Sequence, residues 1–191
     1  MLWIGDVIKM GYKIIVAEDE PITRMDICEM LVSAGYYVVG QASNGLQAVE
    51  LSKRCRPDLV LMDIKMPKLD GIQAAEFLLE QNIVESIIML TAYSGKEFID
   101  KVKEIGAIGY IVKPIDERSL IPQVEIAIAK GKEIKLMREK ISRITIIDKA
   151  KEILMEKYKL SENDAYKRLR KLSMDKQCSV LETSKNIIAG T

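Results

Sequence analysis

Five short apolar runs recur along the chain: "KIIVA" at 13–17, "YYVVG" at 36–40, "LVLM" at 59–62, "SIIML" at 86–90 and "GYIV" at 109–112. Short apolar runs bounded by turn-forming or charged residues are the pattern of buried strands. Helical segments fill the gaps. Pro21 is placed to open a helix that Gly35 closes. From Gly45 to Arg54, Leu46, Val49 and Leu51 fall near one face; Gly71 to Leu79 and Lys96 to Ile105 follow, the last with Phe98, Val102 and Ile105 spaced four and three. Strands alternating with helices predict an α/β fold, a parallel sheet with helices on both faces. Right-handed crossovers then bring every strand's carboxyl end to one edge. Five such units fit the flavodoxin-like order 2-1-3-4-5.

After Pro122 the pattern changes. Between Val124 and Tyr158 there is no proline, and Gly131 is the only glycine. Val124, Ala127, Gly131 and Ile134 are spaced three and four; Ile134, Met137, Ile141 and Ile144 continue with a shift of phase. Such a seam predicts a long helix whose second half pairs with a partner, the alternative being one amphipathic helix folded back on its own domain. Ser161-x-x-Asp164 has capping-box spacing and opens a helix through Leu172; Ser179-x-x-Glu182 opens a last one that Gly190 ends. The expected organisation is an α/β domain at 12–128, a helical linker and possible coiled coil at 129–145, and a small all-α three-helix module at 146–191.

Charge sharpens this division. Residues 1–119 hold 13 Lys/Arg against 18 Asp/Glu, a net −5, whereas residues 120–191 hold 16 against 10, a net +6. A basic second part suggests a nucleic-acid partner, with a merely solvated face as the other reading. Composition excludes several chemistries. There is no histidine, hence no Ser-His-Asp triad, Cys-His pair or His-ligated zinc. Three cysteines, Cys28, Cys55 and Cys178, lack metal-like spacing, and their odd number argues against a disulfide framework and for a reducing cytoplasm. No stretch is apolar for long enough to span a bilayer. The start "MLWIGDVIKMGYK" mixes acid and base into its apolar residues and does not read as a secretory signal; it is expected to be an ill-ordered extension, with Met10 an alternative start.

The chemistry gathers at strand ends. "DLVLMDIKMPKLDG" runs an apolar strand straight into Asp63, at the edge where open α/β sheets bind ligands. The first strand ends "VAEDEP" and brings Glu18 and Asp19 there; the fourth ends "MLTA" with Thr91; the fifth ends "IVKP" with Lys113. Each alone has an ordinary structural explanation. Glu18 and Asp19 favour a helix N-terminus, Thr91 can cap a helix, and Lys113 can be solvated. Together they form a cluster. Three carboxylates in one place repel unless a cation lies among them, and oxygen-only donors favour Mg²⁺. Glu18, Asp19 and Asp63, with the backbone carbonyl of Lys65 and waters, could fill an octahedral shell. A carboxylate beside that ion and Lys113 can attack a phosphoryl group, with Thr91 bonding one of its oxygens.

On "VAEDEP", "LVLMDIKMP", "LDG", "MLTA" and "GYIVKP", in that order, the chain from 12 to 128 resembles the receiver domains of two-component response regulators. The resemblance implies a phosphoacceptor Asp63, metal-side acids Glu18 and Asp19, phosphoryl-reading Thr91 and Lys113, and a sensor histidine kinase as donor. It also implies a switch in which Tyr110 rotates as Thr91 moves; a half-buried strand tyrosine is the plain alternative. The family often has two aspartates where this chain has Glu18-Asp19. "DKAKEILMEKYKLSENDAYKRLRKLSM", from Asp148 to Met174, followed by "LETSKNIIAG", resembles the ANTAR domain of transcription antitermination regulators, which implies binding to paired RNA hairpins. Glu152 stands where the family usually has glycine, and Ser173 and Ser184 where alanine is common.

The residues themselves agree. Lys149 and Lys151 lie on the long helix, and Tyr166, Lys167, Arg168, Arg170 and Lys171 on the next, with Tyr166 and Arg170 sharing a face. Basic groups can position phosphates, and Tyr or Arg can stack on a base. Lys149, Lys151, Tyr166, Arg170 and Lys171 are therefore the expected RNA contacts, with Tyr166 equally open to a core role; Leu169 and Met174 are expected in the core. The function expected is a phosphorylation-controlled, cytoplasmic RNA-binding antiterminator that dimerises on phosphorylation, with no membrane partner. It would be no enzyme beyond its own phosphoryl transfer and dephosphorylation. The alternatives are a receiver with a helical tail for dimerisation or protein docking, and a DNA-binding regulator.

Overall fold

The structure, a computed structural model, describes residues 11–92 and 96–190, and for residues 96–99 the backbone alone. The expectations for the N-terminal extension before Gly11 and for the Phe98 side chain therefore lie outside the described residues. The elements run β1 (Lys13–Ala17), α1 (Pro21–Ser33), β2 (Tyr37–Ala42), α2 (Gly45–Cys55), β3 (Leu59–Asp63), α3 (Gly71–Glu80), β4 (Ile87–Thr91), α4 (Lys96–Glu104), β5 (Gly109–Val112), α5 (Glu117–Tyr158), α6 (Glu162–Asp175) and α7 (Val180–Ala189). The sheet is parallel in the order β2-β1-β3-β4-β5, as the alternation of runs predicts.

Strand period sorts the apolar side chains onto two faces. Ile15, Ala17, Val60, Met62, Ile87 and Met89 meet Ala48 of α2, Ala74, Ala75 and Leu78 of α3 and Val102 of α4. Ile14, Val16, Leu59, Leu61, Ile88 and Leu90 meet Ile27, Cys28 and Leu31 of α1 and Leu120, Val124, Ala127 and Ile128 of α5. Both faces are covered, so the strands read as unbroken apolar runs.

Two expectations change. On α2 the buried face is Gly45, Ala48 and Ser52, while Leu46 is exposed. The helix start lies so near Leu69 that a Cβ on Gly45 would sit 2.4 Å from its carbonyl oxygen, so small residues take the inner face. The long helix starts at Glu117 and not after Pro122, which lies within it. Asp116 caps that start, its carboxylate accepting from the Ser119 amide at 2.8 Å. An interior proline costs ~3 kcal/mol, and full burial of Leu120 and Val124, each worth ~1.5–3 kcal/mol, offsets it.

The chain divides into two compact units between Ile134 and Lys135. In the second unit Leu154, Ala165 and Leu169 form a small core with Ile147, Met155, Leu160, Val180 and Ile187. Ser161 and Ser179 cap α6 and α7, accepting from the amides of Asp164 and Glu182 at 3.2 and 3.1 Å. Two buried serines satisfy themselves locally. Ser173 donates to the Arg170 carbonyl at 2.7 Å and Ser184 to that of Val180 at 2.8 Å.

Candidate functional site

The parallel sheet places its strand ends together, and the five side chains singled out in the sequence arrive there. Glu18 and Asp19 follow β1, Asp63 ends β3, Thr91 ends β4 and Lys113 follows β5. One carboxylate oxygen from each of Glu18, Asp19 and Asp63 lies within 4.8 Å of the other two. Glu18, Asp63 and Thr91 are buried and Asp19 is exposed. Lys113 Nζ stands between two of the acids, 2.7 Å from Glu18 Oε2 and 3.0 Å from Asp63 Oδ2. Burial pushes the Glu18 carboxyl above its usual range, against the pull of Lys113, and the nearby Asp63 charge adds to it. Burial works against the Lys113 ammonium, but its bonds to the two acids outweigh that and raise its pKa. Lys113 thus bonds two of the three clustered carboxyl groups. This excess of acid, with oxygen-only donors, fits a hard divalent cation on the Asp19 side.

Backbone contacts hold these groups in place. Arg24 Nη1 donates to the Glu18 carbonyl at 2.6 Å, and the Glu18 amide to that of Ala42 at 3.0 Å. The loop after β3 is clamped against the strand. The Gly71 amide donates to the Ile64 carbonyl at 2.9 Å, and Asp70 caps α3 by accepting from the Gln73 amide at 2.9 Å. A Cβ on Gly71 would lie 1.8 Å from the Asp63 carbonyl oxygen, so only glycine fits beneath the acid. Lys65 belongs to this loop and lines a cleft with Asp19, Ile64 and Met66. Tyr110 is half-buried against the α3-side core.

In the second unit Lys149, Tyr166, Arg170 and Lys171 are exposed, as RNA contacts require. Lys151 differs. Its ammonium lies 2.8 Å from both Asp148 and Glu162, whose bonds raise its pKa. It ties α5 to α6 through two acids that are themselves exposed. Leu169 is buried, but Met174 is 71% exposed. Five residues further on, Met174 is turned about 140° from Leu169 round the helix. Arg24 and the exposed Arg168–Tyr158 stack, with Cζ 3.8 Å from the ring centroid, were not legible as periodic patterns, because each partner lies across a turn.

These features define a response regulator: the chain belongs to the response regulator receiver domain family, matched over residues 14–125, and carries an ANTAR domain, matched over 136–188. Among its relatives is the transcriptional regulatory protein PdtaR of Mycobacterium tuberculosis H37Rv, 34% identical over 183 residues, covering 92% of this chain and 89% of that one. The first domain is similar to the signal receiver domain of a modulated diguanylate cyclase from Desulfovibrio desulfuricans G20 (31% identity, TM-score 0.59, covering 64% of this chain and 97% of that one). It is also similar to the receiver domain of the sensor histidine kinase PA1611 from Pseudomonas aeruginosa PAO1, solved with magnesium in its active-site cleft (31%, TM-score 0.56, 62% and 98%). Among the described residues no helix is long and apolar enough to cross a membrane.

Proposed function

We propose that the chain is a phosphorylation-controlled regulator that binds tandem RNA hairpins in the cytoplasm and acts in transcription antitermination. The observation that carries this reading is the convergence of Glu18, Asp19, Asp63, Thr91 and Lys113 at one sheet edge in a chain that also has an ANTAR domain. Asp63 is the phosphoacceptor. Its carboxylate oxygen forms the new P–O bond as the P–N bond to the phosphohistidine of a sensor kinase breaks, and the imidazole leaves. Glu18, Asp19, Asp63 and the Lys65 carbonyl would hold Mg²⁺, which would supply positive charge to neutralise the phosphoryl oxygens. Lys113 gives up its bond to Asp63 Oδ2 for a phosphoryl oxygen, and the Thr91 hydroxyl donates to another. Tyr110 follows Thr91 as the switch. Turnover beyond this self-limited phosphoryl transfer is no part of the reading.

The output is dimerisation. Met137, Ile141 and Ile144 are each about 60% exposed along α5, a stripe that a second copy of the helix would cover. Two basic modules then engage two hairpins at once, and an effectively intramolecular second contact raises affinity ~10²-fold or more. The test is RNA affinity with and without acetyl phosphate, on one-hairpin and two-hairpin RNAs. Tight binding only for the phosphorylated chain on two hairpins is expected. Equal affinity in all four combinations overturns the mechanism.

A further inference from the structure

We propose that Tyr158 and Arg168 form a stacking shelf for an unpaired RNA base, on the side of α6 away from Tyr166. The inference rests on the RNA-binding reading and specifies where a base is held. Tyr158 is the last residue of α5 and is 43% exposed. The Arg168 guanidinium stacks on it with Cζ 3.8 Å from the ring centroid, and Lys157 Nζ lies 5.9 Å from that centroid. The core of this unit is complete without Tyr158, since Leu154, Ala165 and Leu169 pack with other residues. The ring is therefore held at the surface by a cation. A solvent-facing tyrosine fixed against a planar guanidinium offers a base a rigid π surface whose ordering cost is already met. Cations for the flanking phosphates stand nearby in sequence and helical position: Lys157 and Lys159 beside Tyr158, and Lys171 one turn beyond Arg168. The closest acid on that turn, Asp164, is taken by the Ser161 hydroxyl at 2.7 Å and by Lys167 at 3.5 Å, so its charge is partly answered within the helix.

Arg168 follows Tyr166 by two residues, about 200° round the helix. The shelf is thus separate from the Tyr166–Arg170 face, and the two can be told apart by mutation.

The experiment uses the full chain, phosphorylated with acetyl phosphate, and tandem-hairpin RNAs enriched by that chain from a pool with randomised loops. Each enriched RNA is paired with a continuous duplex of the same length. Tyr158→Ala should weaken binding to the hairpins by roughly 10-fold or more and change duplex binding by less than 2-fold, because only an unpaired base can stack. Arg168→Lys keeps the charge but removes the planar guanidinium, and should show the same selective loss at a smaller size. Tyr158→Phe keeps the ring and should recover the preference for loops over duplex. Unchanged hairpin affinity in Tyr158→Ala, or an equal loss on hairpin and duplex, overturns the shelf and leaves the RNA-binding reading standing. If no RNA is enriched by the wild-type chain, both fall.

Discussion

Replacing Gly71 with alanine tests how tightly the phosphoacceptor strand is pinned. The new Cβ would lie 1.8 Å from the Asp63 carbonyl oxygen and 2.8 Å from its carbon. Ordinary carbon–oxygen contact begins near ~3.3 Å, so α3 and β3 must part by about 1.5 Å. Forced overpacking costs ~1–3 kcal/mol. The Gly71–Ile64 hydrogen bond, worth ~1 kcal/mol, and the Asp70 cap, worth ~1 kcal/mol, are lost or weakened with it. A loss of about 3–5 kcal/mol follows, a large share of a typical domain's ~5–15 kcal/mol. Gly106 is the control. Its φ is +78° but no atom lies within 4 Å of an added Cβ, so Gly106→Ala should cost only the left-handed penalty of ~1–2 kcal/mol. Urea unfolding of both variants by circular dichroism gives the two values. Acetyl phosphate labelling of Gly71→Ala should also fall, because the displaced carbonyl is that of Asp63 itself. Equal losses in the two variants would falsify the claim that the loop is clamped by close approach.

Lys113→Met should destabilise the first unit by roughly 3–5 kcal/mol, since it leaves buried Glu18 and Asp63 without their cation; added Mg²⁺ should recover part of that in a thermal melt, and no magnesium dependence would refute the site. Ile141→Lys should abolish dimerisation in sedimentation while leaving Asp63 labelling intact, because a charge in an apolar seam is unfavourable. Lys151→Ala should lower the melting temperature of the second unit yet leave the salt slope of RNA binding unchanged, whereas a phosphate contact would reduce the slope by about one. The Asp164 carboxyl is held below its usual range by the Ser161 hydroxyl, with help from Lys167. Its contribution is present above the unfolded value of ~3.9 and is lost as pH falls through the lower folded value. Helicity should therefore drop on acidification below pH ~4, and less so in Asp164→Asn.

The sequence determined the sheet and the edge chemistry because both are written locally. Ile14 to Ala17, Leu59 to Met62 and Ile87 to Leu90 are apolar at every position, and only strands covered on both faces need that. Glu18, Asp19, Asp63, Thr91 and Lys113 could be placed together because parallel topology forces strand ends to one side. The serine caps of α6 and α7 were likewise legible, since a cap and its amide lie three residues apart. Tertiary structure decided what depends on distant neighbours. Pro122 continues α5 because Leu120 and Val124 are buried against the sheet, a gain that local propensity omits. Lys151 ties α5 to α6 because Glu162, eleven residues on, folds back to it. Gly71 was legible as the start of a helix, but the reason for a glycine there, the Asp63 carbonyl at the position of its missing Cβ, exists only once α3 is docked on β3. The Tyr158–Arg168 stack is of the same kind: residue types are read from the chain, but a contact across a turn is set by the packing of one helix on another.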